Sequence, residues 1–200
     1  ELTECMLDYC EPRHISLSLP SLRADSFSSE LMQRVQKVRK SGLTFACEAG
    51  PQRLRDVINK NITEDDVLHA CEIAFKGGWN NVKLYFMIGL PTETSEDLDG
   101  ISEICKKVAY CWRMNTDNRQ RGVKITASAS CFVPKPQTPF QWDAQNSLEE
   151  FRGKQDYMKK IMRTKNVTYN WHDAETSVME GVIARGDRRQ GAAIYTAWKN

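Results

Sequence analysis

The chain has 200 residues, of which 40% are hydrophobic and 27% are charged, as in one globular domain or a piece of a larger one. Its 28 basic and 26 acidic residues leave a net charge of +2, too even to indicate a nucleic-acid or membrane surface by charge alone. No apolar run has the length of a membrane span, and the first residues do not resemble a signal peptide.

Cysteine usage indicates a cytoplasmic protein. The seven cysteines are an odd number scattered along the chain, which fits reduced thiols better than a disulfide framework. The sequence begins without an initiator methionine, and we expect it to be a fragment of a longer protein.

Hydrophobic periodicity predicts strands that alternate with helices. The predicted strands are residues 14–20, 43–47, 82–88, 123–133 and 167–171. The predicted helices are residues 28–42, 51–60, 64–78, one that begins after Thr94, 148–163, and two C-terminal stretches divided at 184–189. A polar loop is predicted at residues 115–122, and a stiff proline-rich loop at 134–142.

Two local patterns sharpen this prediction. Three helix starts carry Ser or Thr followed three residues later by an acid, which is the capping-box signal; they are Thr63/Asp66, Thr94/Asp97 and Ser147/Glu150. The strand at 123–133 alternates at first, which predicts an apolar face and a polar face. The polar side would carry Lys124, Thr126, Ser128 and Ser130.

Repeated strand–helix alternation with short connections favours a parallel sheet with right-handed crossovers. An open doubly wound sheet or a barrel would satisfy the pattern equally well. In both architectures ligands bind at the carboxyl ends of the strands.

The predicted strand ends therefore hold the candidate binding residues. Gly50 and Gly89 could form the base of a pocket, because a residue without a side chain lets a ligand approach the backbone closely. Alternatively, they could merely permit the turn into the next helix. Glu48 ends a buried strand and needs a partner, which could be the hydroxyl pair of a ligand or an internal ion pair with Arg53 or Arg55.

Other residues carry weaker signals. Glu93 is predicted to serve the start of the following helix. The three histidines have neither HxH nor HExxH spacing, so a zinc site is not predicted.

Taken in order, the strand-end segments resemble those of a radical S-adenosylmethionine (SAM) enzyme. They are SLPSLRADSF, LTFACEAGPQRLRDVINK, VKLYFMIGLPTET, FVPKPQTPFQW and ARGDRR. The chain is most similar to a subgroup of iron–sulfur (Fe-S) oxidoreductases in this family that carry a cobalamin-binding domain upstream.

The resemblance implies an α/β fold, an incomplete (β/α) TIM-like barrel. The chain would supply the last four βα units of a six-unit partial barrel, followed by a short extra strand and C-terminal helices. The implied strands are near residues 14–19, 43–48, 82–88 and 123–132. Residues 1–142 would form the partial barrel, and residues 143–200 an extension packed on it.

The resemblance also implies an enzyme that cleaves SAM reductively, with a 4Fe-4S cluster held by a Cys-x3-Cys-x2-Cys motif. No cysteines of this chain have that spacing. The cluster ligands are therefore expected outside it, no catalytic or metal-binding residue is assigned, and the chain alone is expected to be inactive. Cobalamin would bind, if at all, in an upstream domain of the same polypeptide.

Part of a SAM pocket is implied for this chain. Glu48 would bind the ribose hydroxyls, and Arg53 would face the SAM carboxylate. The chain departs from the family pattern at Cys47, which stands where the strand-end motif usually has a proline. The remaining pocket residues implied by the family are Ser18 in the lumen, Ile88 and Gly89 beside the adenine, and Phe132 and Val133 as its cover. Gly50 is counted with the cofactor-binding residues because it ends a strand.

An incomplete barrel would expose two sheet edges and apolar lumen residues such as Phe86 and Ile125, which predicts dimerisation. The expected partners are a small-molecule cofactor, an unknown substrate and the upstream domains. A function from another class, a self-contained, non-enzymatic nucleotide- or RNA-binding module, also fits a sequence without the cluster motif. A CxxxCxxC motif upstream of this chain would favour the radical SAM enzyme over the binding module.

Overall fold

The computed structural model describes residues 2–17, 23–26, 29–39, 42–116, 120 and 122–200. The strands in these ranges are β1 (Leu43–Glu48), β2 (Asn81–Ile88), β3 (Lys124–Cys131) and β4 (Val167–Trp171). The helices are α1 (Leu2–Cys10), α2 (Ser29–Val38), α3 (Gln52–Val57), α4 (Glu64–Lys76), α5 (Ser95–Asn115), α6 (Leu148–Ile161), α7 (Ala174–Arg185) and α8 (Gln190–Lys199). None of these helices is long and apolar enough to cross a membrane.

The four strands form one parallel sheet in the order β1-β2-β3-β4. Each strand is added beside the preceding one, so the order never reverses within the described residues. The predicted α/β class and parallel sheet are confirmed. One irregularity breaks the ladder, a bulge between Ala46 and Glu48 in the pairing of β1 with β2.

The two faces of the sheet differ in composition. One face is buried against α4, α5 and α6 and carries mainly aliphatic and aromatic side chains, among them Leu43, Phe45, Val82, Leu84, Phe86, Ile125 and Ala127. The other, which we call the open face, is largely polar and mostly half-buried; it carries Thr44, Ala46, Lys83, Tyr85, Met87, Thr126, Ser128 and Ser130.

The predicted alternation of β3 is confirmed, because Ile125, Ala127 and Ala129 are buried under the helices. The prediction that Phe86 and Ile125 are exposed lumen residues is wrong. Both lie on the helix-covered face, 1% and 0% exposed. Ile125 is the ladder partner of Val82 and Phe86 that of Ala129, so both belong to the row of side chains that packs in the main core.

Helix starts follow the sequence closely. The three predicted capping boxes are present before α4, α5 and α6. Pro51 is the N-cap of α3 rather than its first helical residue. The break at residues 184–189 is confirmed, since α7 ends at Arg185 and α8 begins at Gln190.

The N-terminal region departs from the prediction. Helix α1 was not anticipated, and residues 14–17 of the predicted first strand lie in no strand, while residues 18–20 lie outside the described residues. At the other end, β4 pairs in parallel with β3 and extends the same sheet. The boundary predicted between residues 142 and 143 stays a prediction.

Candidate functional site

The carboxyl ends of β1, β2 and β3 lie side by side, because the three strands are parallel neighbours. Glu48 pairs with Phe86 in the ladder, and the Phe132 N–H donates to the Ile88 carbonyl oxygen at 2.8 Å. This edge, which we call the carboxyl edge, therefore brings together Glu48, Gly89 and Phe132. Ser18, also predicted for the site, lies outside the described residues.

Glu48 occupies a strained turn at the end of β1. Its φ is 65°, and the Ala49 N–H donates to the Cys47 carbonyl oxygen at 2.9 Å across it. A positive φ at a non-glycine residue in such a three-residue turn is energetically unfavourable, and residues with this conformation are often found at functional sites. Cys47 is fully buried, and this burial raises the pKa of its thiol to about 12.

The ion-pair partner of Glu48 is Lys60, whose Nζ lies 3.0 Å from Glu48 Oε1. The alternative left open by the sequence, an internal ion pair with Arg53 or Arg55, is not formed in the described structure. The predicted helix 51–60 would have ended at Lys60, but α3 ends at Val57 and Lys60 lies in the segment after it. The Glu48 side chain is 25% exposed, so it is not fully enclosed by the protein.

Arg55 is buried completely and holds the turn after β1. Its Nη1 donates to the carbonyl oxygens of Ala49 at 3.0 Å and Gly50 at 2.6 Å, and its Nη2 donates to Gln52 Oε1 at 3.1 Å. Burial lowers the pKa of Arg55. This side chain therefore fixes the backbone that carries Glu48 and Gly50.

Arg53 joins three segments of the carboxyl edge. It donates to both carboxylate oxygens of Asp97, to the Thr92 carbonyl oxygen at 3.0 Å and to Thr92 Oγ1 at 3.3 Å. Burial acts to raise the pKa of Asp97, but hydrogen bonds from Arg53 and Thr94 outweigh it and lower that pKa. Because the Arg53 side chain is 49% exposed, an anion can still reach the guanidinium, and its predicted contact with the SAM carboxylate stays a prediction.

Glu93 has a different role from the one the sequence suggested. The Gly89 N–H donates to Glu93 Oε1 and Oε2 at 2.9 and 3.0 Å, and Lys154 Nζ of α6 lies 2.6 Å from Oε1. The start of α5 is capped instead by Thr94 and Asp97. Glu93 therefore fixes the end of β2, and nothing in the sequence indicated Lys154 as its partner.

Both predicted glycines are required by packing. At Gly89, whose φ is +81°, a Cβ atom would lie 2.5 Å from the Phe151 ring and 2.8 Å from Asn146 Oδ1. At Gly50 a Cβ atom would lie 2.3 Å from the Ile101 backbone nitrogen. These contacts account for the two glycines without a ligand, and their contact with a bound group stays a prediction.

Apolar side chains line the carboxyl edge. Phe132 is buried with Ala49, Leu54 and Leu90 in a cluster separate from the main core. Phe140 packs edge-on against Phe132, with ring centroids 6.0 Å apart and planes at 87°, because the proline-rich loop returns to the sheet. The carboxyl edge thus has its own small apolar cluster, and Val133, the residue after Phe132, is half-buried.

Comparison with known proteins identifies the family. The family model described as Radical SAM superfamily matches residues 2–105, just over half of the chain. The chain belongs to the radical SAM superfamily. Within the matched range lie Glu48, Gly50, Arg53, Ile88 and Gly89, whereas Phe132 and Val133 lie beyond it.

Two proteins of Methanocaldococcus jannaschii are similar to this radical SAM chain. Uncharacterized protein MJ0966 is 33% identical over 186 residues, covering 91% of this chain and 38% of that protein. Uncharacterized protein MJ1620 is 27% identical over 95 residues, covering 48% of this chain and 18% of that protein. The chain therefore spans well under half the length of either relative.

Radical SAM membership implies SAM and usually a 4Fe-4S cluster, and the two groups fit these residues differently. No group of three His, Cys, Asp or Glu side chains in the described ranges could hold a metal ion. Cys47, Cys71 and Cys105 are buried in the core, and burial raises the pKa of all three thiols. The residues present thus do not fit the 4Fe-4S cluster. A partly exposed carboxylate side chain, Glu48, at the same sheet edge as an apolar cluster has the chemistry of a nucleoside site.

Proposed function

We propose that this chain forms the adenosyl-binding part of a radical SAM enzyme that acts on a small-molecule substrate. The observation that carries the proposal is the convergence of Glu48, Gly89 and Phe132 at one edge of a parallel sheet in a chain of this family. SAM bound at a reduced cluster supplies a 5′-deoxyadenosyl radical, and the protein's part is to bind, orient and shield.

We assign the pocket residues as follows. The Glu48 carboxylate accepts hydrogen bonds from the ribose hydroxyls, and the exposed side of Arg53 faces the methionyl carboxylate. Gly50, Gly89, Phe132, Val133 and the backbone of Ile88 provide the wall against the adenine, since the Ile88 side chain is buried in the main core. The strained turn at Glu48 and the buried Arg55 beneath it support the first assignment, because they hold a carboxylate in one position before a ligand arrives.

The sheet is proposed to be the last part of a six-unit partial barrel. The sequential strand order and the helices on one face support a barrel over a doubly wound sheet, which reverses its strand order and is covered on both faces. The open face would then line the lumen. The division into a barrel part at residues 1–142 and an extension at 143–200 belongs to this proposal.

The cluster ligands are proposed to lie in another part of a longer polypeptide. The absent cysteine spacing and the 38% share of MJ0966 that this chain covers support this arrangement. Alone, the chain should then give no 4Fe-4S absorption after treatment with iron and sulfide, and should release no 5′-deoxyadenosine. Association with an upstream cobalamin domain rests on the sequence resemblance alone.

The remaining predictions concern assembly and location. β1 and β4 are the outer strands of the described sheet, and we propose that another copy or an upstream segment pairs with them. A monomer mass that is independent of concentration in light scattering would argue against pairing between copies. The cytoplasmic location stays a prediction, and the comparisons give no support to a non-enzymatic nucleotide- or RNA-binding module.

Glu48→Gln is expected to weaken SAM binding about tenfold, because hydrogen bonds to a charged group contribute about 1.5 kcal/mol or more. The measurement is equilibrium dialysis of radiolabelled SAM against the purified chain.

Two control variants make this result specific. Lys60→Met removes the same ion pair but keeps the carboxylate, so its affinity for SAM should stay at or above that of the wild type. Glu103→Gln changes a carboxylate on the outer side of α5 and should have no effect. Equal affinity in the wild type and Glu48→Gln, or an equal loss in Lys60→Met, would contradict the role of Glu48.

A further inference from the structure

The open face carries a lysine without an acidic partner. Lys83 lies in β2 and is half-buried. Its Nζ donates to Tyr85 Oη at 3.0 Å and lies 4.5 Å from the centre of the same ring. No carboxylate in the described part of the chain forms an ion pair with it. A half-buried cation held in place by a neutral phenol keeps an unbalanced positive charge.

Hydroxyl groups surround this lysine. Lys83 is paired directly with Thr44 of β1 and with Thr126 of β3, and the side chains of directly paired residues lie on the same face. Tyr85 is paired in the same way with Ser128. Because the Tyr85 oxygen accepts from Lys83, its own O–H is left to donate, and the ammonium has two further N–H groups.

We propose that Lys83 and Tyr85, with Thr126 and Ser128 beside them, bind an anionic group of the substrate, either a phosphate or a carboxylate. Every group at this position donates or can donate a hydrogen bond, and the net charge of the site is positive, which is the combination that an oxyanion requires. The assignment to a substrate rests on the proposed function, which makes the open face the wall of the lumen.

The position of the site constrains the length of the substrate. Lys83 precedes Phe86, the ladder partner of Glu48, by three residues, which is about 10 Å along a strand. The adenosyl group is proposed to lie at the level of Glu48. The substrate is therefore an elongated molecule whose anionic group lies about 10 Å from the carbon presented to the carboxyl edge.

Residue-resolved lysine acetylation of the purified chain, read by mass spectrometry, tests this site. The rates are compared in inorganic phosphate, in acetate and in chloride at equal ionic strength. Phosphate or acetate is expected to slow acetylation of Lys83 about tenfold, because a bound anion covers the ammonium. Lys106, an exposed lysine of α5 paired with Glu103, should react at the same rate in all three.

Two variants separate binding from a general salt effect. Tyr85→Phe keeps the ring but removes the phenol, and should reduce the protection of Lys83 about threefold. Lys83→Met should abolish the thermal stabilisation of the chain by phosphate, while Lys106→Met retains it. Equal protection of Lys83 and Lys106, or no protection of either, would overturn the proposal.

The same acetylation experiment in the presence of SAM decides which molecule supplies the anion. If SAM protects Lys83 as strongly as phosphate does, the anion is the carboxylate of the cofactor, and the assignment to a substrate is wrong. If SAM leaves Lys83 reactive while phosphate protects it, the substrate assignment is supported. Phosphate protection in a chain that binds no SAM would contradict the proposed function and leave the anion site standing.

Discussion

Gly50→Ala is expected to lower the free energy of unfolding by about 3 kcal/mol or more, since overpacking a core costs 1–3 kcal/mol and rigid surroundings increase it. The added Cβ would lie 2.3 Å from the Ile101 nitrogen and 2.4 Å from the Gly100 carbonyl carbon. These are backbone atoms of α5, so no side-chain rotation relieves the clash. Urea denaturation measures the change.

Gly153→Ala is the matched control. Gly153 lies within α6, and a Cβ there has no neighbour within 4 Å, so alanine should raise stability by up to about 1 kcal/mol through helix propensity. If Gly50→Ala were as stable as the wild type, the turn after β1 would not be packed on α5 as described.

Lys154→Met is expected to lower the free energy of unfolding by about 3 kcal/mol, the usual cost of leaving one member of a buried ion pair without its partner. The Glu93 side chain is 1% exposed. Without Lys154, only the Gly89 N–H would remain among its described polar partners. The end of β2 should loosen as well, which amide hydrogen exchange at Gly89 would detect.

Two further variants check the cause of this loss. Lys160→Met, at an exposed position of α6, should change stability by less than about 0.5 kcal/mol. The double variant Glu93→Gln/Lys154→Met should lose less than the sum of the two single variants, because it leaves no unpaired charge. Full additivity, or a loss no larger than that of Lys160→Met, would mean that the pair contributes nothing.

Local signals in the sequence were sufficient for much of the fold. Each capping box depends on residues three positions apart, and the alternation in β3 depends on neighbours two apart. Both were read correctly. The parallel sheet followed from the alternation of strands and helices with short connections. The strand order did not, because a doubly wound sheet and a barrel fitted the pattern equally well.

Contacts between distant segments could not be read in this way. Lys154 is 61 residues from Glu93, and Lys60 lies beyond the helix that follows Glu48. The face taken by Phe86 and Ile125 was assigned wrongly, because an apolar residue suits a lumen as well as a covered face and only the packing of α5 and α6 decides. Helix α1 carries few of the start and stop signals that define the other helices.

The candidate site was located by a general rule, that ligands of parallel α/β folds bind at the carboxyl ends of strands. That rule led to Glu48 and Gly89, and the family resemblance added Phe132; the structure places all three at one edge. It could not reveal the strained turn at Glu48 or the hydrogen bonds of Arg55 beneath it. Those features depend on a buried arginine in α3 that the sequence alone presents as an ordinary helix cation.

The central claim is that the carboxyl edge of β1, β2 and β3 binds the adenosyl group of SAM. A titration of the ¹⁵N-labelled chain with SAM, followed by amide chemical shifts, tests it most directly. The account predicts concerted shifts at residues 48–50, 88–90 and 132–133, and smaller ones in the Glu48→Gln variant. Shifts confined to α7 and α8, or none at saturating SAM, would contradict it.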